Sequence, residues 1–407
     1  MKKIELHWQI FVALIAGVLF AIYLQDYVKY IDWIGTIFLS LLKMVIIPLV
    51  FSSIVSGVGG IGGTESMGRL GFKTISFYVI TSLLAIVLGL ILVNLIAPGT
   101  GTDLKLAVKI DEIPAVNQSL GEILMSAIPE NIFKSMASGD MLPIIFFAMT
   151  FGFFINMTGK EAQRTLLGFF NSVFEVMMKI TMSVIKLTPL GVFAIMAKVI
   201  AQITGDNGSL IDIFSRLGLY MGTVLLGLIL HSVIVLPFIM WITVRLNPWK
   251  HIRNMSVPLL TAFSTSSSSA TLPLTIEAIE NKDGVSNRIS GFTLPLGATI
   301  NMNGTALYEC VAVIFISQAY GIELTLAQQT IVVLTALLAA IGSAGIPMAG
   351  LVMMSIVLSA VGLPLEGIGL ILAVDRVLDM FRTTVNVLGD TFAAAIIAKS
   401  EGEHLKI

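Results

Sequence analysis

Eight apolar runs limit what this 407-residue chain can become. They lie near residues 8–25, 32–59, 70–97, 141–158, 165–202, 213–245, 290–322 and 364–398, and each is long enough to cross a hydrocarbon layer of about 30 Å. A bilayer offers no water to backbone N–H and C=O groups, so only helices and closed barrels span it. Runs of this length and apolarity predict an all-α polytopic membrane protein. Charged residues make up 12% of the chain and hydrophobic ones 56%, where soluble domains carry about 25% charged residues. The fifth and eighth runs exceed a simple span and are expected to be broken or tilted. Lys2, Lys3, Arg69, Lys73, Lys160, Arg164, Arg245, Lys250, Arg253, Lys282, Arg288, Lys399 and Lys406 all fall on one side of an eight-span arrangement. The positive-inside rule then places both termini in the cytoplasm of a cell inner (plasma) membrane protein. The loop at 98–140 is mostly acidic and is expected to carry an amphipathic piece around 119–137. A net charge of −1 gives no nucleic-acid partner and no basic tail. Cys310 stands alone and reads as a small buried residue. His7, His231, His251 and His404 are too scattered to suggest a metal site.

One polar stretch interrupts this pattern. Residues 373–390 read AVDRVLDMFRTTVNVLGD, and helical spacing puts Asp375, Asp379, Arg382, Asn386 and Asp390 on one face. Each unpaired charge at the bilayer centre costs about 2.5–3.5 kcal/mol on insertion scales, so this face is expected to look into the protein. Two further segments fit poorly as spans. Residues 256–281 place Ser264 to Thr271 between two short apolar arms, and residues 326–361 place Gly342-Ser343-Ala344-Gly345-Ile346-Pro347 between two others. Both read as helices that enter, break and return. Interrupted hydrophobic segments of this kind point to a transporter's binding site. The seventh run has its own break, Gly297-Ala298-Thr299-Ile300-Asn301-Met302-Asn303-Gly304-Thr305, whose unwound carbonyls suit a cation. One turn beyond it, Glu309 is a carboxyl in an apolar run and a proton-coupling candidate.

Four motifs in order resemble the dicarboxylate/amino acid:cation symporters, the glutamate transporters and their bacterial and archaeal homologues. They are Ser266-Ser267-Ser268-Ser269-Ala270-Thr271-Leu272-Pro273, Asn301-Met302-Asn303-Gly304-Thr305, Gly345-Ile346-Pro347-Met348-Ala349-Gly350, and DMFRTTVNVLGD at 379–390. The likeness covers essentially the whole chain. It implies a homotrimer with eight membrane helices and two re-entrant hairpins, at 256–286 and 326–361. A trimerising scaffold (1–65 and 119–205) would hold a transport part (66–100 and 210–400) that slides as an elevator, with the second hairpin as gate. For substrate, the resemblance implies Arg382 at a side-chain carboxylate and Asp379 at an α-ammonium. Ser267 and Ser268 would sit at the α-carboxylate, with Met302, Thr305, Ile346, Thr383 and Asn386 alongside. The bland alternative for Arg382 and Asp379 is an internal ion pair, with each other or with Asp375. For co-transported sodium it implies Gly297, Asn301, Asn386 and Asp390 at one site. Thr299, Met302, Ile341 and Ser343 would surround a second, and Tyr78, Thr81, Ser82, Asn301 and Asn303 a third.

Three positions depart from the family. Asn303 stands where an aspartate is usual, which weakens or abolishes the third sodium site. Ser266 stands where archaeal members have arginine, and Met380 where animal-type members do; Arg376, one turn earlier, is then the candidate positive charge near Asp379. Glu309 matches the proton-carrying glutamate of animal members. The function expected is uptake of L-glutamate or L-aspartate driven by sodium, with protons as a second coupling ion. C4-dicarboxylates or neutral amino acids are alternative substrates, and an ion channel is the alternative from another class. No organic cofactor is expected. Enzymatic hydrolysis is not expected, since no histidine or lysine sits at helix spacing beside Ser266–Ser269 and neither GxSxG nor HExxH occurs.

Overall fold

A computed structural model of the chain describes residues 6–59, 65–100, 125, 128–139, 141–205, 210–341 and 349–407. Among these residues all regular structure is helical. The first three helices are α1 (Leu6–Tyr23), α2 (Asp32–Gly59) and α3 (Glu65–Ile96). A short helix α4 (Ile132–Ser138) follows, capped by Asn131, whose side chain accepts from the Phe133 and Lys134 amides at 2.9 and 3.2 Å. It is the part of the expected amphipathic piece that is described; residues 119–124 lie outside the described residues. Next come α5 (Met141–Ile155), α6 (Lys160–Ile185) and α7 (Thr188–Gly205). The fifth apolar run is therefore two helices, parted at Lys186 and Leu187.

The sixth run is α8 (Leu210–Leu230) and α9 (Leu236–Val244), joined by a wider π-turn at His231–Val235. Pro237 explains the widening: it has no N–H for the Val233 carbonyl and its ring crowds that turn. Asn247 caps α10 (Pro248–Asn254), accepting from the Trp249 and Lys250 amides at 3.1 Å each. The two expected hairpins follow as paired short helices. The first is α11 (Ser256–Thr265) and α12 (Ser268–Ala278), preceded by α10 and followed by a closing π-turn at Ile279–Asp283. The seventh run is α13 (Asn287–Ile300) and α14 (Asn303–Ala319), unwound between them. The second hairpin is α15 (Leu326–Ile341) and α16 (Ala349–Ala360). The eighth run, expected to be broken or tilted, is not broken: α17 (Ile368–Ser400) is one continuous helix. It has no proline, and Gly389 lies in mid-helix without interrupting it.

Four helical stretches, Arg69–Ile96, Lys160–Ile185, Ser215–Val244 and Asn287–Ala319, are long and apolar enough to cross a membrane by length and composition. The helices pack in two groups. In one, α1 runs along α7, and α2 packs against α5, α6 and α7. In the other, α3 lies along α14, while α17 packs on α11, α13, α14 and α8. The groups meet where α16 touches α2 and α5, where α15 touches α5, and where α17 touches α7. At the centre, every residue of α14 except Gln318 is buried. Its polar groups therefore have to be satisfied inside the protein.

The C-terminal tail closes one end of the second group. Glu401 pairs with Arg69 at 2.7 Å and with Lys73 at 2.5 Å on α3. Glu403 accepts from the Ser286 amide at 3.0 Å, and the Lys406 amide donates to the Asp283 carbonyl at 2.8 Å. The two cations hold the Glu401 carboxyl below its usual range. A carboxylate depressed in this way stabilises the fold above its unfolded pKa, and that contribution disappears as pH falls through the folded-state value. Arg69 is largely exposed, so the effect is small. We expect Glu401→Gln to lower the melting temperature slightly in detergent at pH 7, and by less as pH falls below the ordinary carboxylate range, measured by thermal unfolding.

Candidate functional site

The α13–α14 break and the second arm of the second hairpin meet the inward face of α17, and the first hairpin packs on the same helix through Phe263 against Phe381, ring centroids 5.1 Å apart. At the first tip, Ser266 takes a left-handed conformation (φ +51°) that ends α11, and its amide closes on the Ala262 carbonyl at 2.9 Å. A serine at positive φ is strained, and strain of this kind gathers at binding sites and switches. Ser267 then caps α12, accepting from the Ala270 amide at 3.2 Å. Ser267 and Ser268 are both buried, at the N-terminal end of a helix, where backbone N–H groups and the helix dipole favour an anion.

Arg382 is fully buried. Its Nη2 donates to Asp379 Oδ1 at 2.8 Å and lies 3.2 Å from Asp375 Oδ1. The guanidinium carbon sits 3.8 Å from the centre of the Tyr308 ring, and the Tyr308 hydroxyl donates to Asp375 at 2.6 Å. So the internal ion pair offered as the bland reading is present, with both aspartates. It engages one nitrogen: Nε and Nη1 have no hydrogen-bond partner among the described residues. Nη1 points at the second hairpin, close enough that a Cβ added to Gly350 would lie 2.6 Å from it. Arg376 stands 3.5 Å from Asp379, the proximity expected of it. Thr383 is buried one residue beyond Arg382.

Asn386 stitches the break to α17. Its Oδ1 accepts from the Gly304 amide at 2.8 Å, and its Nδ2 donates to Thr305 Oγ1 and to Met302 Sδ, each at 3.1 Å. Its carbonyl accepts from Asn301 Nδ2 at 3.2 Å, and the same Asn301 nitrogen donates to Asp390 Oδ1 at 2.8 Å. That leaves Asn301 Oδ1 buried with no partner among the described residues. Gly297 lies against this pair so closely that a Cβ there would overlap both the Asp390 carboxylate and the Tyr78 hydroxyl. Tyr78 itself donates to the Thr293 carbonyl at 2.9 Å. Gly297, Asn301, Asn386, Asp390 and Tyr78 thus come together, with an orphan acceptor and a carboxylate among them. Oxygen donors of this type suit a hard alkali cation.

The other candidates are placed less closely. Thr299 is exposed and its hydroxyl donates to the Leu296 carbonyl at 3.0 Å, which leaves its oxygen lone pairs and its backbone carbonyl for a ligand. Thr81 turns its hydroxyl to Phe77 of its own helix at 2.9 Å, and Ser82 is buried beside it. Ile341 ends α15 but its side chain, and all of Ser343 and Ile346, lie outside the described residues. Asn303 spends its amide group elsewhere: Oδ1 accepts from the Gly304 amide at 2.9 Å, and Nδ2 lies 3.2 Å from His231 Nε2. Glu309 is fully buried, and neither of its oxygens has a partner among the described residues.

Two contributors escaped the sequence reading. Tyr308 was legible only as a neighbour of Glu309, and nothing in the sequence pointed it at Arg382. His231 was visible as a polar residue in an apolar run, but its partner is 72 positions away.

Residues 6–400 match the model of the sodium:dicarboxylate symporter family. The chain is 37% identical to excitatory amino acid transporter 3 of Mus musculus, over 93% of this chain and 80% of that protein. It is 37% identical to the proton/sodium-glutamate symport protein of Geobacillus stearothermophilus, over 99% and 96%. It is 36% identical to the proton/glutamate-aspartate symporter of Escherichia coli (strain K12), over 98% and 93%.

Proposed function

The chain belongs to the sodium:dicarboxylate symporter family, and from that membership we propose that it takes up an acidic amino acid, L-glutamate or L-aspartate, together with sodium and protons. The observation that carries the reading is Arg382: a buried guanidinium beside two aspartates, with Nη1 turned to the second hairpin and unbonded among the described residues. A guanidinium recognises a carboxylate by direction as well as charge. The substrate's side-chain carboxylate docks at Arg382, displacing part of its hold on Asp379. The released Asp379 receives the α-ammonium. The α-carboxylate lies at the α12 N-terminus, at Ser267 and Ser268, and Thr305, Thr383 and Asn386 complete the polar contacts. Met302 and Ile346 close the pocket.

Sodium, as cargo, occupies the cluster at Asp390 with Gly297, Asn301 and Asn386. A second ion lies among backbone groups at Thr299, Met302, Ile341 and Ser343. The third position, at Tyr78, Thr81, Ser82, Asn301 and Asn303, is weak here, because Asn303 brings no charge and its amide is already engaged by His231 and Gly304. Glu309 carries the proton: an unpaired buried carboxylate is costly, and a proton removes that cost. The protein works as a homotrimer in the cell inner membrane with eight spanning segments and cytoplasmic termini. The α1, α2, α5, α6 and α7 group is the scaffold, and the group around α17 is the elevator, gated by the second hairpin. The separate packing of the two groups supports that division.

Competition decides the substrate class. Unlabelled aspartate or glutamate is expected to suppress uptake of labelled aspartate, while serine and succinate leave it largely intact. Suppression by succinate as strong as by aspartate would mean that Asp379 does not require an ammonium group.

A further inference from the structure

A second buried polar cluster joins α17 at Thr391, the residue after Asp390. His251 on α10 places its ring between Asp283 and Thr391, with Nδ1 2.5 Å from Asp283 Oδ2 and Nε2 3.0 Å from Thr391 Oγ1. The ring meets Phe392 edge-on, centroids 4.7 Å apart. His251, Asp283 and Thr391 are all fully buried. The other Asp283 oxygen accepts from Asn254 Nδ2 at 2.7 Å, and the Thr391 hydroxyl donates to the Leu388 carbonyl at 2.7 Å. The Thr–His–Asp order looks like a hydrolytic triad, but a fully buried hydroxyl has no access to a substrate.

Its position in the chain is informative. Asn254 directly precedes the first arm of the first hairpin, and Asp283 closes the π-turn after its second arm. Thr391 follows Asp390 on α17. One imidazole therefore joins both feet of the hairpin to the turn that carries Asp390. Ligand-bearing turns depend on outer partners of this kind, which fix the ligand's direction without touching the ion.

We propose that His251 is a positioning residue for Asp390, acting through Thr391, and that it locks this cation ligand to the first hairpin; the part concerning sodium rests on the transport reading above. The two move as one body, and the strain at Ser266 is held against a fixed base.

Thr391→Val removes the link to α17 while leaving the His251–Asp283 contact in place. In proteoliposomes of the full chain, we expect it to raise the sodium concentration for half-maximal aspartate uptake about tenfold, with maximal rate and aspartate KM at saturating sodium within about twofold of the parent. His251→Gln shifts sodium dependence the same way, and Thr391→Ser restores it. Unchanged sodium dependence in Thr391→Val overturns the proposal, as does a matching loss in sodium dependence, rate and KM. Amide hydrogen exchange supplies an arm independent of transport: Thr391→Val and His251→Gln should speed exchange at 256–265 and 388–392 together. Faster exchange at only one segment, or at neither, overturns the link. If the parent protein shows no gradient-driven uptake, the transport reading fails and the exchange result alone decides the locking claim.

Discussion

Arg382→Ala cripples uptake of acidic amino acids, lowering kcat/KM for aspartate by at least about 30-fold, since truncating one partner of a buried, hydrogen-bonded charge pair costs about 2–5 kcal/mol. The expectation follows from burial and partners. Arg382 is wholly enclosed, and its Nη2 is shared by Asp375 and Asp379. Removing it deletes the guanidinium offered to the substrate carboxylate and takes from Asp375 and Asp379 the buried cation they share. That second consequence threatens the fold itself, so Arg382→Lys is the needed companion. It keeps a charge beside Asp375 and Asp379 but loses the planar fork and the stacking over Tyr308. Arg382→Lys is therefore expected to fold, with a melting temperature near that of the parent, and to transport aspartate weakly. Parent-like aspartate KM in Arg382→Lys would show that the substrate carboxylate is not read by the guanidinium.

Asp390→Asn raises the sodium concentration for half-maximal uptake by about 10- to 100-fold, the usual scale for losing a metal-site group. The substitution is nearly isosteric, and the amide oxygen can still accept from Asn301 Nδ2, which now donates at 2.8 Å. What is lost is the only carboxylate in the cluster with Gly297, Asn301 and Asn386. A cation held there then meets dipoles alone. Very high sodium should restore much of the rate, with aspartate KM at saturating sodium little changed. If Asp390→Asn retains the parent's sodium dependence, the cation at this cluster is misassigned. Titration calorimetry with sodium at fixed aspartate separates the two outcomes.

The polar face of α17 was readable in the sequence because it depends on one helix's own period. Asp375, Asp379, Arg382, Asn386 and Asp390 needed only steps of three and four to share a side, and all of them are buried. The break at Asn301 and Met302 was readable too, through glycine and asparagine between strongly apolar flanks. The turn of the first hairpin at Ser266 and Ser267 was readable from its hydroxylated centre, while the centre of the second, at 342–348, lies outside the described residues. Partners from distant parts of the chain were not. His231 opposite Asn303, Tyr308 beneath Arg382, and the meeting of His251 with Asp283 and Thr391 join positions that share no local pattern. Of the two outcomes expected at α17, broken or tilted, the break is absent, because a run longer than a bilayer stays continuous when its polar face is paired inside the protein. Asp375 and Arg376 have a clear structural place: Asp375 braces Arg382 from one side with Tyr308, while Arg376 leans on Asp379.

The measurement that tests the account most directly is uptake of labelled L-aspartate by proteoliposomes under imposed gradients. An inward sodium gradient should drive aspartate above its external concentration. An inward proton gradient should add to the rate, and collapsing both should stop accumulation. Equal uptake with and without either gradient would contradict the account at its centre, because Asp390, Asn301 and Glu309 would then have no ion to couple.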